Sequence, residues 1–348
     1  IVNGWCMLKG NCLWGAFLAL VACVSWGAMF PVAQHSFQYI DSFYFTIFRY
    51  IPVAIILGVI LYKKEGKDAF KTDGRGLAVL FYGVMAFTVY NLFIFWGQDL
   101  LGDTGTLLAS IMEALSPMIS VLIVWGMTRK QPNSLTLFFI GLAFIGVLLV
   151  VTKGNMNFLS TISDQVVPLF ILFLGVFGWA VYSIGGDRFP KWTTLRFSTL
   201  TLIYGIGTTT IIVIISSMLG WCEVPTLEAA YAVRYDITFM VIFPGIIALL
   251  GWNEAVRILN PINSLLFITF VPVTTLVIGT IQGYELLMID YVGTFFIIAA
   301  LLLNNVHQRY MLRQEAQKIS ETNYKTEKKP ARERKPAVST LTSAEARR

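Results

Sequence analysis

The chain has 348 residues, of which 56% are hydrophobic and 13% charged, with a net charge of +6. Soluble domains carry roughly 25% charged residues, and disordered chains lack this much apolar material, so both classes are excluded. Residues 309–348 hold 11 basic and 5 acidic side chains, which is the whole net charge, so the basic balance belongs to a tail and does not imply a nucleic-acid-binding fold.

A bilayer-crossing helix needs about 20 mostly apolar residues. Ten runs of that kind can be read in chain order, separated by short charged or turn-forming breaks. The first, 12–33, follows Met7-Leu8-Lys9-Gly10-Asn11, which reads as a natural start, and carries Trp26-Gly27 and Pro31. It has no small-residue cleavage site, so it reads as a retained helix. The second, 41–62, holds Arg49, either a structural cation reaching for headgroups or a partner of Asp41 or Asp99. The third, 75–97, carries Tyr90 and Asn91 and ends at Gln98-Asp99. The fourth, 104–127, holds Glu113 near its middle, on one stripe with Thr106, Ser110, Pro117 and Ser120. An acid at that depth costs at least about 2.5 kcal/mol. It reads as a proton carrier or a counter-ion for a cationic substrate group, against the bland alternative of an acid held neutral in a packed interface. The fifth, 134–152, contains Gly141 and Gly146, read as close-packing positions.

The sixth run, 166–185, carries Gly175, Gly178, Trp179 and Tyr182, and the seventh, 195–218, opens on Arg196. A longer break, 219–236, has Trp221, Tyr231 and Val233 and reads as a small interfacial helix. The eighth, 237–257, ends near Asn253-Glu254, with Arg257 one turn on; the ninth, 261–281, holds Pro272; the tenth is 288–308. The tail, 311–348, is rich in Lys, Arg, Glu, Ser, Thr and Pro and is expected to stay disordered. Cys6, Cys12, Cys23 and Cys222 lack paired spacing, and the only histidines are His35 and His307, so no disulfide framework, metal site or cofactor is expected.

With the N-terminus inside, the inner loops hold Lys9, Lys63, Lys64, Lys67, Lys71, Arg75, Arg129, Lys130, Arg188, Lys191 and Arg257, and the outer loops only Lys153 and Arg234. Basic residues stay cytoplasmic, so the reading is a cell-membrane protein, inner or plasma, with both termini in the cytoplasm.

The two halves correspond: Phe48-Arg49-Tyr50 with Leu195-Arg196-Phe197, Gly97-Gln98-Asp99 with Trp252-Asn253-Glu254, Pro117 with Pro272, Gly141 with Gly293, and Trp26-Gly27 with Trp179-Ala180. Five spans is an odd number, so the second half enters the membrane upside down. Inverted repeats mark secondary transporters. The fold class is therefore an all-α integral membrane protein of ten helices, built from inverted five-helix repeats at 12–153 and 166–308.

These residues, with Ala109-Ser110 before Pro117, Gly141 and Gly146-Val147, Trp179-Ala180 and Tyr182, and Pro261 with Ser264 before Pro272, resemble the drug/metabolite transporter superfamily, EamA type, over about 12–306. The resemblance implies a central cavity lined by the first, third, fourth, sixth, eighth and ninth helices, with the fifth and tenth as support. It also implies export or exchange of small metabolites.

The expected function is secondary transport of small metabolites, amino acids or related compounds, by alternating access. Efflux of drugs by the same superfamily is the alternative. No HExxH, GxSxG or phosphate-binding glycine loop occurs, so an enzyme or an ATP-driven pump is not expected. A proton gradient, substrate exchange or facilitated diffusion remain as energy sources. Expected substrate contacts are Trp26, Tyr90, Asn91, Glu113, Trp179 and Tyr182. Expected coupling or gating residues are Glu113, Arg49, Asp99 at the outer mouth and Glu254 at the inner mouth. The expected partners are the substrate and the bilayer, in a monomer or homodimer, with no nucleic acid.

Overall fold

The structure, a computed structural model, describes residues 10–129, 131–152, 158–259, 264–283 and 285–327. Lys9, Lys130 and Lys153 of the charge count, Cys6, Pro261 and residues 328–348 lie outside them. Every regular element among the described residues is helical.

Helices α1 (Gly10–Ser36) and α2 (Ser42–Glu65) are joined at Asp41, whose carboxylate accepts the Phe43 N–H at 2.7 Å. That satisfies one of the donors a helix start leaves unpaired. Gly66, at φ 79°, ends α2 in a backbone conformation that favours glycine. Helix α3 (Gly76–Leu100) follows. The next apolar stretch breaks at Leu115 into α4 (Gly105–Ala114) and α5 (Ser116–Thr128), bent by 49°. Pro117, in the first turn of α5, has no N–H for the preceding turn, so the bend has a local cause.

Then come α6 (Ser134–Thr152), α7 (Phe158–Gly185) and α8 (Thr194–Met218), the last capped by the Thr193 hydroxyl on Arg196 N–H. Short α9 (Leu227–Ala232) fills the long break and buries none of its residues. Helix α10 (Arg234–Leu259) is followed by a 3-10 turn at Leu265–Thr269 and α11 (Phe270–Ile281). Helix α12 (Met288–Glu327) is the last. Among the described residues, eight helices are long and apolar enough to cross a membrane, with α4–α5 as a bent pair and a shorter apolar helix around α11.

Two helices change pitch along their apolar length. α3 is π-helical at Val84–Tyr90 and α10 at Val241–Ala248, where Pro244 lies. A π segment frees carbonyls that hydrocarbon cannot hydrate. In α3 they are met by side chains: Asn91 Nδ2 donates to Ala86 O at 2.7 Å, and the Thr209 hydroxyl of α8 donates to Phe87 O at 2.9 Å.

Helix α1 packs on α10 and α11, α7 on α3 and on α4–α5, α2 on α8 and α10, α3 on α8, and α6 on α12. Small residues allow the closest approaches. A Cβ at Gly146 of α6 would lie 2.7 Å from Gly293 O, and one at Gly293 of α12 would lie 2.8 Å from Gly146 O. Gly83 and Gly205 meet in the same reciprocal way between α3 and α8. Gly175 and Gly178 lie close against α3, whereas Gly141, expected to do likewise, faces open space. Large apolar side chains such as Ile55, Phe138, Ile211 and Phe295 are exposed on the outside of the bundle, as a lipid-facing surface requires.

Two expectations need correction here. The tail was read as disordered from residue 311, yet α12 continues to Glu327. Extending an existing helix avoids the nucleation cost, and Met311-Leu312-Arg313-Gln314-Glu315-Ala316 are good helix formers. The cysteines were read as unpaired; Cys23 and Cys222 are free, but Cys12 is disulfide-bonded.

Candidate functional site

Two ends of the bundle can be told apart. At one, the loops after α2 and α7 meet; it carries most of the basic loop residues and is called the basic face below. There Arg196 pairs with Asp73 at 2.8 Å and donates to Lys71 O, Trp192 Nε1 donates to Asp73, and Arg75 donates to Arg188 O.

A cavity of about 810 Å³ opens from the basic face between α5, α7, α8, α10 and α12. Of its lining residues, Thr128, Thr193 and Arg257 are exposed, whereas Ser116, Pro117 and Ile268 are buried. Its walls are aromatic: Tyr182 stacks on Phe197 at 5.2 Å, Phe189 packs on Phe197 and Trp192, and Trp252 faces them from α10. Arg257 is the one charged side chain among the described lining residues, and it is paired with Glu254 on its own helix. The polar groups there are hydroxyls and the amides of Asn253, Asn304 and Asn305. Apolar walls with a few neutral polar groups can bind an amphipathic molecule.

Behind this cavity lies a second, of about 10 Å³, lined by Trp26, Met29, Arg49, Tyr50, Phe87, Tyr90, Glu113, Trp179, Pro244 and Leu249. That is room for about one water. Trp26 lies 5.4 Å from Trp252 and 6.2 Å from Trp179, so three indoles form the partition between the cavities. Glu113 is 3% exposed, has Tyr90 and Arg49 as neighbours, and leaves Oε2 without a hydrogen bond. Arg49 is 1% exposed. Its guanidinium lies 4.5 Å from the Tyr50 ring and 5.5 Å from Phe95, and among the described residues it donates to the Met29 sulfur alone and leaves Nε unpaired. A buried acid and a buried cation, each short of partners in one small space, carry a large desolvation cost. They could answer opposite charges on a guest only if this space, which now has room for about one water, widened.

The opposite face is shut. Gln98 Nε2 at the end of α3 donates to Phe30 O at 2.8 Å and to Gln34 Oε1 at 3.1 Å, with Thr106 of α4 closing the cluster. Farther out, Asp236 of α10 holds His35 at 2.7 Å and Ser36 at 3.0 Å.

Of the expected substrate contacts, Trp26, Tyr90, Glu113, Trp179 and Tyr182 are gathered around the two cavities. Asn91 is not; its amide serves the α3 backbone. Arg49 does not reach for headgroups or pair with Asp41 or Asp99, because the acid in its cavity is Glu113. Arg196, expected as its counterpart, sits in the loop cluster instead, over the Trp192 ring at 4.3 Å. Asp99 lies beside Ser42 and Asp41, while the seal is made by its neighbour Gln98. Glu254 is occupied by Arg257. The Glu113 stripe does not serve one site: on α4, Thr106 joins the seal and Glu113 the small cavity, and beyond the Leu115 bend Pro117 and Ser120 line the large one.

The first helix lines the small cavity but not the large one, and the tenth, expected only as support, supplies Asn304 and Asn305 to the large one. Trp252 and those asparagines were missed as site residues. For the asparagines the available signal was polarity on the buried stripe of the last span, after Ile297, Ala300 and Leu301.

The EamA-like transporter family model matches residues 13–152. The uncharacterized transporter YrdR of Bacillus subtilis is 46% identical over 87% of this chain and 94% of its own. This chain belongs to the EamA-like transporter family, within the drug/metabolite transporter superfamily. A second uncharacterized transporter of Bacillus subtilis, YyaM, is 28% identical over 79% of this chain and 88% of its own. A solved structure titled only as the crystal structure of a protein superposes with a TM-score of 0.58 at 16% identity, over 84% of this chain and 96% of that one. At that identity the likeness concerns the fold. The family membership makes this chain a multi-pass membrane transporter.

Proposed function

We propose that the protein is a secondary transporter that exports small amphipathic metabolites, amino acids or related compounds, across the cell membrane by alternating access. One observation carries the reading: a cavity of about 810 Å³ opens on the basic face while hydrogen bonds close the other mouth. Under the positive-inside rule the basic face is cytoplasmic, both termini are inside, and this is the inward-open half of a cycle.

Ten spans follow if the bent pair α4–α5 and helix α11 each count as one crossing beside the eight long helices. The helix contacts support the inverted repeat. Exchanging each of the first five spans for its counterpart turns the α1–α11 contact into α7 against α4–α5, α1–α10 into α7–α3, and α3–α8 into α10–α2. The pairs α2–α8 and α6–α12 map onto themselves. The π segments of α3 and α10 also correspond. Two copies of one unit, inserted upside down, can exchange shapes and so move the opening from one face to the other.

A substrate entering from the basic face would lay its apolar part on Tyr182, Trp179 and Trp252. It would pass its charged end through the indole partition. Arg49 answers a carboxylate and Glu113 an ammonium group, or Glu113 exchanges a proton when no substrate is present. Among its described lining residues the large cavity has no unpaired acid to hold a bulky hydrophobic cation, which favours metabolites over drug efflux.

The test is flux in proteoliposomes loaded with labelled amino acids, purines, polyamines or cationic dyes, with and without a pH gradient. Flux of amino acids is expected. Movement of the dyes alone would replace this reading with drug efflux.

A further inference from the structure

The buried face of α12 runs through Ile297, Ala300 and Leu301 at helical spacing and continues into Asn304 and Asn305. The two amides are 3% and 4% exposed, yet both line the large cavity. A buried amide in a membrane helix is costly unless bonded. Its usual use is to bond a neighbouring helix. Asn304 does not do this: its Oδ1 is buried and accepts no hydrogen bond among the described residues. The packing of α12 is served elsewhere, by the Gly146–Gly293 contact with α6.

We infer that Asn304 forms a selectivity subsite that reads a neutral hydrogen-bonding group, a hydroxyl or an amide, on the distal part of the transported molecule. This rests on the reading of the large cavity as the substrate site. The subsite is separate from Arg49 and Glu113, which lie behind the indole partition. It is uncharged, and the Arg257–Glu254 pair cancels its own charge. An acceptor buried without a partner penalises a hydrocarbon placed against it and rewards a donor. The cavity would therefore separate molecules of equal shape by one polar group.

The experiment uses the full chain in proteoliposomes and three near-isosteric pairs of labelled amino acids: valine with threonine, leucine with asparagine, and phenylalanine with tyrosine. The wild type should prefer the polar member of at least one pair by about tenfold, the factor that ~1.4 kcal/mol gives. Asn304→Leu, which continues the apolar stripe, should remove that preference, and Asn304→Asp, which keeps an acceptor, should retain it. Monodisperse elution of both variants checks the fold. If the wild type shows no preference, or Asn304→Leu keeps it, the subsite is wrong while the amino-acid reading stands. If the wild type moves none of the six, the amino-acid reading fails and the subsite fails with it.

Discussion

Glu113 and Arg49 share a cavity with room for about one water, and neither has its full set of partners. Charges are kept in such a place at considerable cost, which is why ionisable groups inside a membrane mark function. Glu113→Gln keeps the shape and removes the charge, and a neutral amide is cheaper to bury. The folded yield should hold or rise, while transport in proteoliposomes should fall about tenfold or more, a loss of ~1.4 kcal/mol or above. Any dependence of the rate on pH should flatten, because an amide cannot cycle between charge states. A variant with the wild-type rate and pH profile would make Glu113 a permanently neutral packing residue and leave substrate binding to the aromatic walls.

At the scale of elements, the bundle depends on a few places where backbones touch. Gly83 of α3 and Gly205 of α8 abut each other, and a Cβ on Gly83 would run into the Thr201 carbonyl of α8. Backbone cannot swing aside as a flexible side chain can. The same contact carries Thr88 Oγ1 to Gly205 O at 3.0 Å and Thr209 to the π segment at Phe87 O. Gly83→Ala should therefore force α3 and α8 apart and cost about 1–3 kcal/mol, the range for overpacking. Thermal unfolding in detergent should show a lower midpoint. Gly141→Ala, on the open side of α6, is the control and should leave the midpoint in place.

For the whole molecule, the asymmetry between the two mouths is the main fact. The closed face is held by neutral hydrogen bonds centred on Gln98, which joins α3 to α1 and α4. Each such bond contributes about 1 kcal/mol, so the seal is weak enough to open in a cycle. Gln98→Ala should shift the population toward opening on that face. Leu107, 6% exposed, replaced by cysteine, should then react with an impermeant maleimide several times faster than it does with Gln98 present. Equal rates would show that the seal lies elsewhere, with the His35–Asp236 contact as the next place to look.

Much of this was legible in the chain itself. Apolar runs of membrane length, the excess of Lys and Arg in alternate loops and the isolated acid at Glu113 depend on transfer free energies, which are properties of local composition. The span limits at α2, α6 and α8 follow from those. Tertiary structure alone decided what Glu113 faces, because a stripe on one helix does not say where the helix bends or what stands opposite. The bend at Leu115 parts Glu113, at the small cavity, from Ser120, at the large one, and Thr106, two turns before Glu113 on the same helix, joins the seal. Matching positions suggested matching roles for Arg49 and Arg196, yet one is buried among aromatic rings and the other is held by a loop aspartate. Asn91 looked like a site amide until the π turn of α3 claimed it, and Asn304 looked like part of a supporting helix until the cavity reached it. Composition sets which segments leave water, whereas the partners of a buried polar group are set by helices distant in the chain.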